Sequence, residues 1–328
     1  DSKKTIWVGT KDDGLFRLDR NGGITNYGTA PHQNMLSSSY VRCIVEDNLG
    51  NYWIGTFKGL DKLNAATGTF THYSKDNKPY SLSNSSIICM MKDRQGTFWI
   101  GTYYGGVNLF NPDYEIYTYY YPDEAQKGKL TSPFAGRMIE DSKGGIWIAT
   151  EGGGVNYLDR KTRTFTEYKH DVSKNSLASN TIQSLFLDED NQALWIGTLR
   201  GGLDRLDLKT YRFTNYRYNA EKKNSLINDI VRKIIPYKGN LLLATHNGIG
   251  LFNPETGECV KLLNDSRLNN RQIIDMLVDK KNNLWFSYSL GLIKYNLETQ
   301  KRNEYFVPNT SKQAIGPNLI NVLFEDKI

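Results

Sequence analysis

A tryptophan recurs along this chain at a nearly fixed interval, and that interval limits what the chain can fold into. It stands at Trp7, Trp53, Trp99, Trp147, Trp195 and Trp285, and Leu242 fills the equivalent place in "LLLAT" (241–245). The successive steps are 46, 46, 48, 48, 47 and 43 residues. The words around it recur as well: "FWIGTYYGGVNLFNPDYEIYTYY" (98–120), "IWIATEGGGVNYLDRKTRTFTEY" (146–168) and "LWIGTLRGGLDRLDLKTYRFTNY" (194–216). A phrase repeated in register is the unit of an architecture rather than a catalytic motif. Seven copies at this spacing fit four-stranded propeller blades.

Each copy divides in the same way. An apolar first strand ends in an acidic pair or its relic, as in "VRCIVED" (41–47), "GRMIED" (136–141), "IQSLFLDED" (182–190) and "IIDMLVD" (273–279). A Gly/Asn turn follows, suited to a tight antiparallel connection. The second strand carries the Trp and ends in Gly-Thr or Ala-Thr. The third begins after Gly or Gly-Gly and alternates, Leu203, Arg205 and Asp207 against Asp204, Leu206 and Leu208. A turn such as "NAATG" (64–68) leads to a fourth strand such as "TFTHY" (69–73). Alternation punctuated by turn signals reads as antiparallel β throughout, and helical periodicity is nowhere sustained.

The ends predict a closure. The chain opens at "TIWVGT" (5–10), a second strand with no first strand before it. It finishes at "LINVLFED" (319–326), a first strand with no second strand after it. Joined, they complete a blade and remove an open sheet edge. The expectation is a single all-β, seven-bladed propeller. Its first blade takes 5–28 plus 319–326; the others fall near 40–73, 86–120, 135–168, 181–216, 230–263 and 272–306. Strand alternation then places the second-to-third loops and the long blade-to-blade segments 74–86, 121–134 and 169–181 on one face, where binding residues usually collect.

Composition excludes little but helps. The net charge of +6, from 41 Lys+Arg against 35 Asp+Glu, comes without a basic block, so no nucleic-acid partner is expected. No run of 18 apolar residues is present, so no stretch reads as a membrane-spanning helix. The start "DSKKTIWVGT" has no apolar signal core, which by itself assigns no compartment. Cys43, Cys89 and Cys259 make no metal spacing, and free buried thiols are expected.

The repeat "EDNLGNYWIGTFKGLDKLNAATGTFTHY" (46–73) and its copies resemble the two-component regulator propeller repeat. Blades two to five follow the pattern closely. Blade six, "YKGNLLLATHNGIGLFNPETGECVKL" (237–262), lacks the Asp and the Trp, and blade seven has "SYSLGLIKY" (287–295) for the Gly-Thr segment. The resemblance implies the periplasmic sensor region of Bacteroides-type hybrid histidine kinases, receptors of the inner membrane. These carry two propellers, a β-sandwich, a membrane helix and a cytoplasmic kinase. They detect glycan-derived oligosaccharides and control polysaccharide-utilisation genes. This chain would be one such propeller, the N-terminal one. Its partners would be an oligosaccharide of acidic character, the remaining sensor domains and a second copy.

Most conspicuous residues have a structural explanation. The Trp series occupies one repeat position and reads as blade-to-blade packing. The Gly-Gly pairs precede strands, not helices, and read as turns rather than phosphate cradles. The acidic pairs Glu46–Asp47, Glu140–Asp141 and Glu325–Asp326 read as turn caps rather than acid/base carboxylates. His32, His72, His170 and His246 show no metal spacing, and neither cofactor nor metal is expected. No nucleophile-elbow signature is present.

The positions that packing does not dictate are the pair after Gly-Thr, which differs in every blade. Tyr103, Tyr104 and Tyr288 are candidates to stack on sugar faces. Arg42, Arg200 and Arg232 are candidates to bind hydroxyl, carboxylate or sulfate groups. His246 lies in the same loop set. The chain is therefore read as a non-catalytic sensor. A propeller-type lyase or lactonase, or a pure interaction ring, remains open. The first would need convergent His, Glu or metal ligands.

Overall fold

The protein is a seven-bladed β-propeller of four-stranded antiparallel blades. The computed structural model describes residues 5–19, 22–28, 35–76, 81–111, 116–122, 128–263, 265, 268, 271–289, 291–305 and 320–325. His32 and Asp326 lie outside the described residues, as do the outermost residues of the 319–326 strand. The chain divides into two compact units. One comprises Asp1–Tyr103, Asn108–Thr118 and Ile274–Ile328; the other comprises Tyr104–Val107 and Tyr119–Ile273.

In the first unit, β1 (Ile6–Thr10), β2 (Leu15–Leu18) and β3 (Ile24–Tyr27) form a sheet completed by β28 (Ile320–Glu325). Trp7 pairs with Phe324 and Val8 with Leu323, so the two ends of the chain do share a blade. The next sheet runs β4 (Val41–Glu46), β5 (Tyr52–Thr56), β6 (Leu60–Leu63) and β7 (Phe70–Tyr73). The third begins with β8 (Ile87–Lys92) and β9 (Phe98–Thr102) and continues through β10 (Gly106–Asn111) and β11 (Ile116–Tyr120).

The second unit holds three whole blades. They are β12 (Ala135–Glu140), β13 (Ile146–Thr150), β14 (Val155–Asp159) and β15 (Thr164–Tyr168); β16 (Ile182–Asp188), β17 (Ala193–Thr198), β18 (Leu203–Asp207) and β19 (Phe213–Tyr216); and β20 (Val231–Tyr237), β21 (Asn240–Thr245), β22 (Gly248–Phe252) and β23 (Cys259–Lys261). A further blade of the first unit is β24 (Ile273–Val278), β25 (Asn283–Tyr288), β26 (Gly291–Asn296) and β27 (Arg302–Tyr305).

The repeated residues build the scaffold. Every one of the six tryptophans is buried, and Trp7, Trp53, Trp147, Trp195 and Trp285 pack among apolar side chains of their own or the following blade. Trp195, for example, lies with Val231, Leu241, Leu243 and Phe252, which belong to β20–β22. The Gly of "WIGT" permits the close approach. A Cβ on Gly197 would overlap Ser184 and the Val231 carbonyl of the neighbouring blade. The three cysteines are free and buried.

Two of the acidic pairs cap turns through their aspartates, Asp47 and Asp141. Asp47 Oδ1 accepts from Leu49 N and Asn51 N, while its Oδ2 accepts from Trp53 Nε1 at 3.1 Å. Asp93 and Asp279 hold Trp99 and Trp285 in the same way, both at 2.9 Å. At the opposite strand ends the recurring Thr hydroxyl closes the loop. Thr56 Oγ1 donates to Gly59 O, and Thr198 Oγ1 to Gly202 O.

Candidate functional site

The loop after the second strand is where the blades part company. Its first residue is tied to the blade entry by backbone: Phe57 N donates to Tyr40 O, Tyr103 N to Ser86 O, Glu151 N to Phe134 O and Leu199 N to Thr181 O. In three of the blades its second residue is turned left-handed. In β13–β14 that residue is Gly152, with φ of 82°. In β9–β10 it is Tyr104, with φ of 63°, and in β17–β18 it is Arg200, with φ of 65°. A tyrosine or arginine in this region costs about 1–2 kcal/mol that glycine would not.

Both strained side chains are presented outward. Tyr104 is 57% exposed and leans on Phe134 at a ring distance of 4.3 Å. Arg200 is exposed. Its carbonyl is held by Arg217 Nη2 at 2.9 Å, and the same nitrogen donates to Asp229 Oδ2. The loop that displays Arg200 is thus braced, and its guanidinium is the part turned to solvent. Tyr103 is 41% exposed.

The other candidates fare differently. Arg42 is engaged rather than free: its Nη1 donates to Ser86 Oγ at 2.9 Å and Ile87 O at 3.1 Å. Its guanidinium also lies over the rings of Tyr40 and Phe57. Arg232 donates twice to the Gln272 side-chain oxygen, at 3.1 and 2.9 Å, in the amide orientation that satisfies both groups. His246 is partly buried. Burial, and then the nearby Arg232 charge, hold its pKa below the usual imidazole value, so it is neutral at pH 7. Arg232 and His246 are therefore neighbours within the second unit.

Tyr288 requires a correction. It is fully buried and presents no ring face to a ligand. It is the last residue of β25, pairs with Gly291, and occupies the place that Thr198 or Thr245 holds elsewhere. The pair after it begins at Ser289, one residue later than the sequence reading placed it.

A second set of polar residues escaped that reading. Asp61, Asn108, Asn156 and Asp204 occupy one third-strand position in four blades and are fully buried. Each accepts from the segment entering its blade: Ser37 N, Ser83 N, Thr131 N and Ala178 N, at 2.8–3.1 Å. Burial raises the pKa of Asp61, against hydrogen bonds from His72 and Ser37. Burial likewise raises Asp204 to about 6, against hydrogen bonds from Ala178 and Asn215.

Ser37, Asp61 and His72 do not make a nucleophile–base pair. The carboxylate sits between the other two, taking Ser37 Oγ at 2.9 Å and meeting His72 Nδ1 at 2.7 Å. Hydrolytic triads place the imidazole in the middle. Among the described residues, no three His, Cys, Asp or Glu side chains are grouped to hold a metal ion. No helix of the described residues is long and apolar enough to cross a membrane.

The two-component regulator propeller model matches residues 35–58, 81–104 and 176–200. The chain carries two-component regulator propeller repeats. Two of these matches end on the residues singled out by geometry, Tyr104 and Arg200.

Among solved structures, the chain is similar to the extracellular domain assigned to a hybrid two-component system, BT3049, of B. thetaiotaomicron. The TM-score is 0.70 at 24% identity, over 86% of this chain and 36% of that one. It is also similar to the extracellular domain of BT4673 from the same organism, at TM-score 0.52 and 22% identity, over 95% of this chain and 48% of that one. The chain thus spans a third to a half of those two structures. A streptogramin B lyase matches at TM-score 0.63 and 16% identity, over 87% of each chain. At these identities the likeness is one of fold. A comparison with curated proteins found no match.

Proposed function

We propose that this chain is the extracytoplasmic sensor propeller of a hybrid two-component histidine kinase. It detects glycan-derived oligosaccharides, and the parent receptor of the inner membrane controls polysaccharide-utilisation genes in response. The chain acts by positioning a ligand or a partner, not by turnover. Its partners are the oligosaccharide, the remaining sensor domains of the receptor and a second copy. The repeats and the fold shared with extracellular two-component domains support this reading.

The observation that carries the ligand role is the pair of left-handed side chains. Tyr104 and Arg200 sit where the same loop elsewhere uses Gly152, and both face solvent. Strain kept at a displayed residue points to function rather than packing. Tyrosine offers a face for a sugar ring, and arginine offers paired donors for hydroxyl or acidic groups.

The test is calorimetric titration of the chain with sulfated, uronic-acid-containing and neutral oligosaccharides. Binding that favours the acidic members and weakens in Arg200→Ala supports the proposal. New products that vanish in His246→Ala would instead favour an enzyme of the lyase kind. Failure to bind any member would remove the ligand role from this propeller.

A further inference from the structure

The first blade closes differently from the other six. Elsewhere a turn of two to five residues ties the first strand to the second, as 47–51 ties β4 to β5 and 238–239 ties β20 to β21. No turn ties β28 to β1. β28 follows β27 through 306–319, which lie outside the described residues. What holds β28 is therefore the ladder to β1 and the packing of its two faces. Val322 and Phe324 lie with Trp7 and Val41, while Ile320 and Leu323 lie with Trp285 and Leu292.

The preceding blade adds a polar grip at this seam. In three blades the third residue of the first strand is Cys43, Cys89 or Ser184, and it pairs with a glycine of the second strand, Gly55, Gly101 or Gly197. In β24 and β25 the corresponding residues are Asp275 and Ser287, with Asp275 N donating to Ser287 Oγ at 3.1 Å. Both are fully buried. Both also reach the main chain of β28: Leu323 N donates to Asp275 Oδ2 at 2.7 Å, and Ser287 Oγ donates to Ile320 O at 3.0 Å. The nearest counterpart elsewhere is longer, Ser184 Oγ to Val231 O at 3.4 Å. A buried aspartate carries a desolvation cost that the cysteines and serine of the sibling blades do not. Bonded to Leu323 N, it holds the strand. Once β28 is out, water reaches the carboxyl group and offsets part of the loss.

We infer that β28 is a strap that leaves and returns as a unit while the other strands stay paired, and that Asp275 and Ser287 set how readily it does so. Folded proteins open in cooperative pieces of unequal stability, and the piece with no hairpin to its neighbour is the one that opens first. When β28 leaves, β1 keeps its ladder to β2 but loses the other, uncovering Trp7 and Val8. The departure of blade seven from the repeat at "SYSLG" (287–291) gains a purpose, since its first serine is Ser287. The inference does not depend on the sensor reading.

The experiment is hydrogen exchange of the 328-residue chain under native conditions, read by mass spectrometry over β28, β1 and β16. In the parent, β28 and β1 should exchange together and at least about tenfold faster than β16, a gap of about 1.4 kcal/mol or more in opening free energy. Asp275→Ala removes the acceptor of Leu323 N and should speed β28 and β1 severalfold. Asp275→Asn keeps an oxygen at that place and should speed them less. Trp195→Phe weakens blade five and should speed β16 while β28 and β1 keep the parent rate. Equal rates for β28 and β16 in the parent, or β28 and β1 speeded by Trp195→Phe as much as β16 is, would overturn the strap. Parent-like exchange of β28 and β1 in Asp275→Ala would overturn the grip.

Discussion

At one end of the strands three of the blades copy one another closely, and at the other end they differ. The turn end is built from Asp47, Asp93 and Asp279, each holding a buried tryptophan by the same hydrogen bond. The loop end places Tyr104, Gly152 and Arg200 on one backbone conformation with three unlike side chains. The difference teaches which residues belong to the scaffold and which are free to recognise something. Where interactions recur, substitution should cost stability. Where only backbone geometry recurs, substitution should cost binding and leave the fold intact.

The largest effect should come from the shared blade. Removing the chain from Ile320 onward strips Ile320, Val322 and Leu323 from the cores they share with Val8, Trp7 and Leu292. Burying such side chains is worth about 1.5–3 kcal/mol each. The loss rivals the whole stability of an ordinary domain, about 5–15 kcal/mol. Thermal melting should show no cooperative transition or one far lower. An unchanged melt would mean that β28 does not secure the first blade.

A smaller effect should separate Trp53→Phe from Trp195→Phe. Both lose ring volume, but only Trp53 also loses a bond to a carboxylate, worth about 1.5–3 kcal/mol. Denaturant titration should find Trp53→Phe the more damaging by that margin. Equal losses would deny the turn aspartate its role.

The buried clasp gives a pH-dependent comparison between blades. Asp204 has a folded pKa raised to about 6 from 3.8, chiefly by burial. The folded state therefore holds this proton more tightly than the unfolded chain does. Its contribution is fully present below pH about 4 and is lost as pH rises through 6, on the order of 1–3 kcal/mol in all. Asn108 and Asn156 fill the same position without a charge. Asp204→Asn, with Asn215 turning its amide to match, should flatten stability between pH 4 and 6. A profile as steep as that of the parent would place the titration elsewhere.

Much of the scaffold was legible because the period and the Trp position are properties of the sequence itself. The shared blade followed from a second strand at one end and a first strand at the other. The site was harder to read. Tyr288 looked like a loop residue because "SYSLG" hides which residue replaces the threonine, and only the pairing with Gly291 shows it. Arg42 looked available because its partners Ser86 and Ile87 lie more than forty residues away. Asp204 was not singled out because alternation shows which residues share a face, not which face is covered. The left-handed turn at Tyr104 and Arg200 had one signal, the glycine that fills the place at Gly152.

The smallest effect on stability should coincide with the largest on recognition, and the account's central claim rests there. Tyr104→Gly and Arg200→Gly relieve left-handed strain while adding unfolded-chain entropy of about 0.4–1 kcal/mol, so the two terms nearly cancel. The deciding measurement is calorimetric titration of parent, Tyr104→Gly and Arg200→Gly with the best oligosaccharide of the panel, alongside their melting curves. The account predicts melting within a few degrees of the parent, affinity lowered about tenfold or more in Arg200→Gly, as expected for loss of a charge-assisted contact of about 1.5–3 kcal/mol, and a smaller loss in Tyr104→Gly, which removes a ring face. Parent-like affinity in both variants would contradict it.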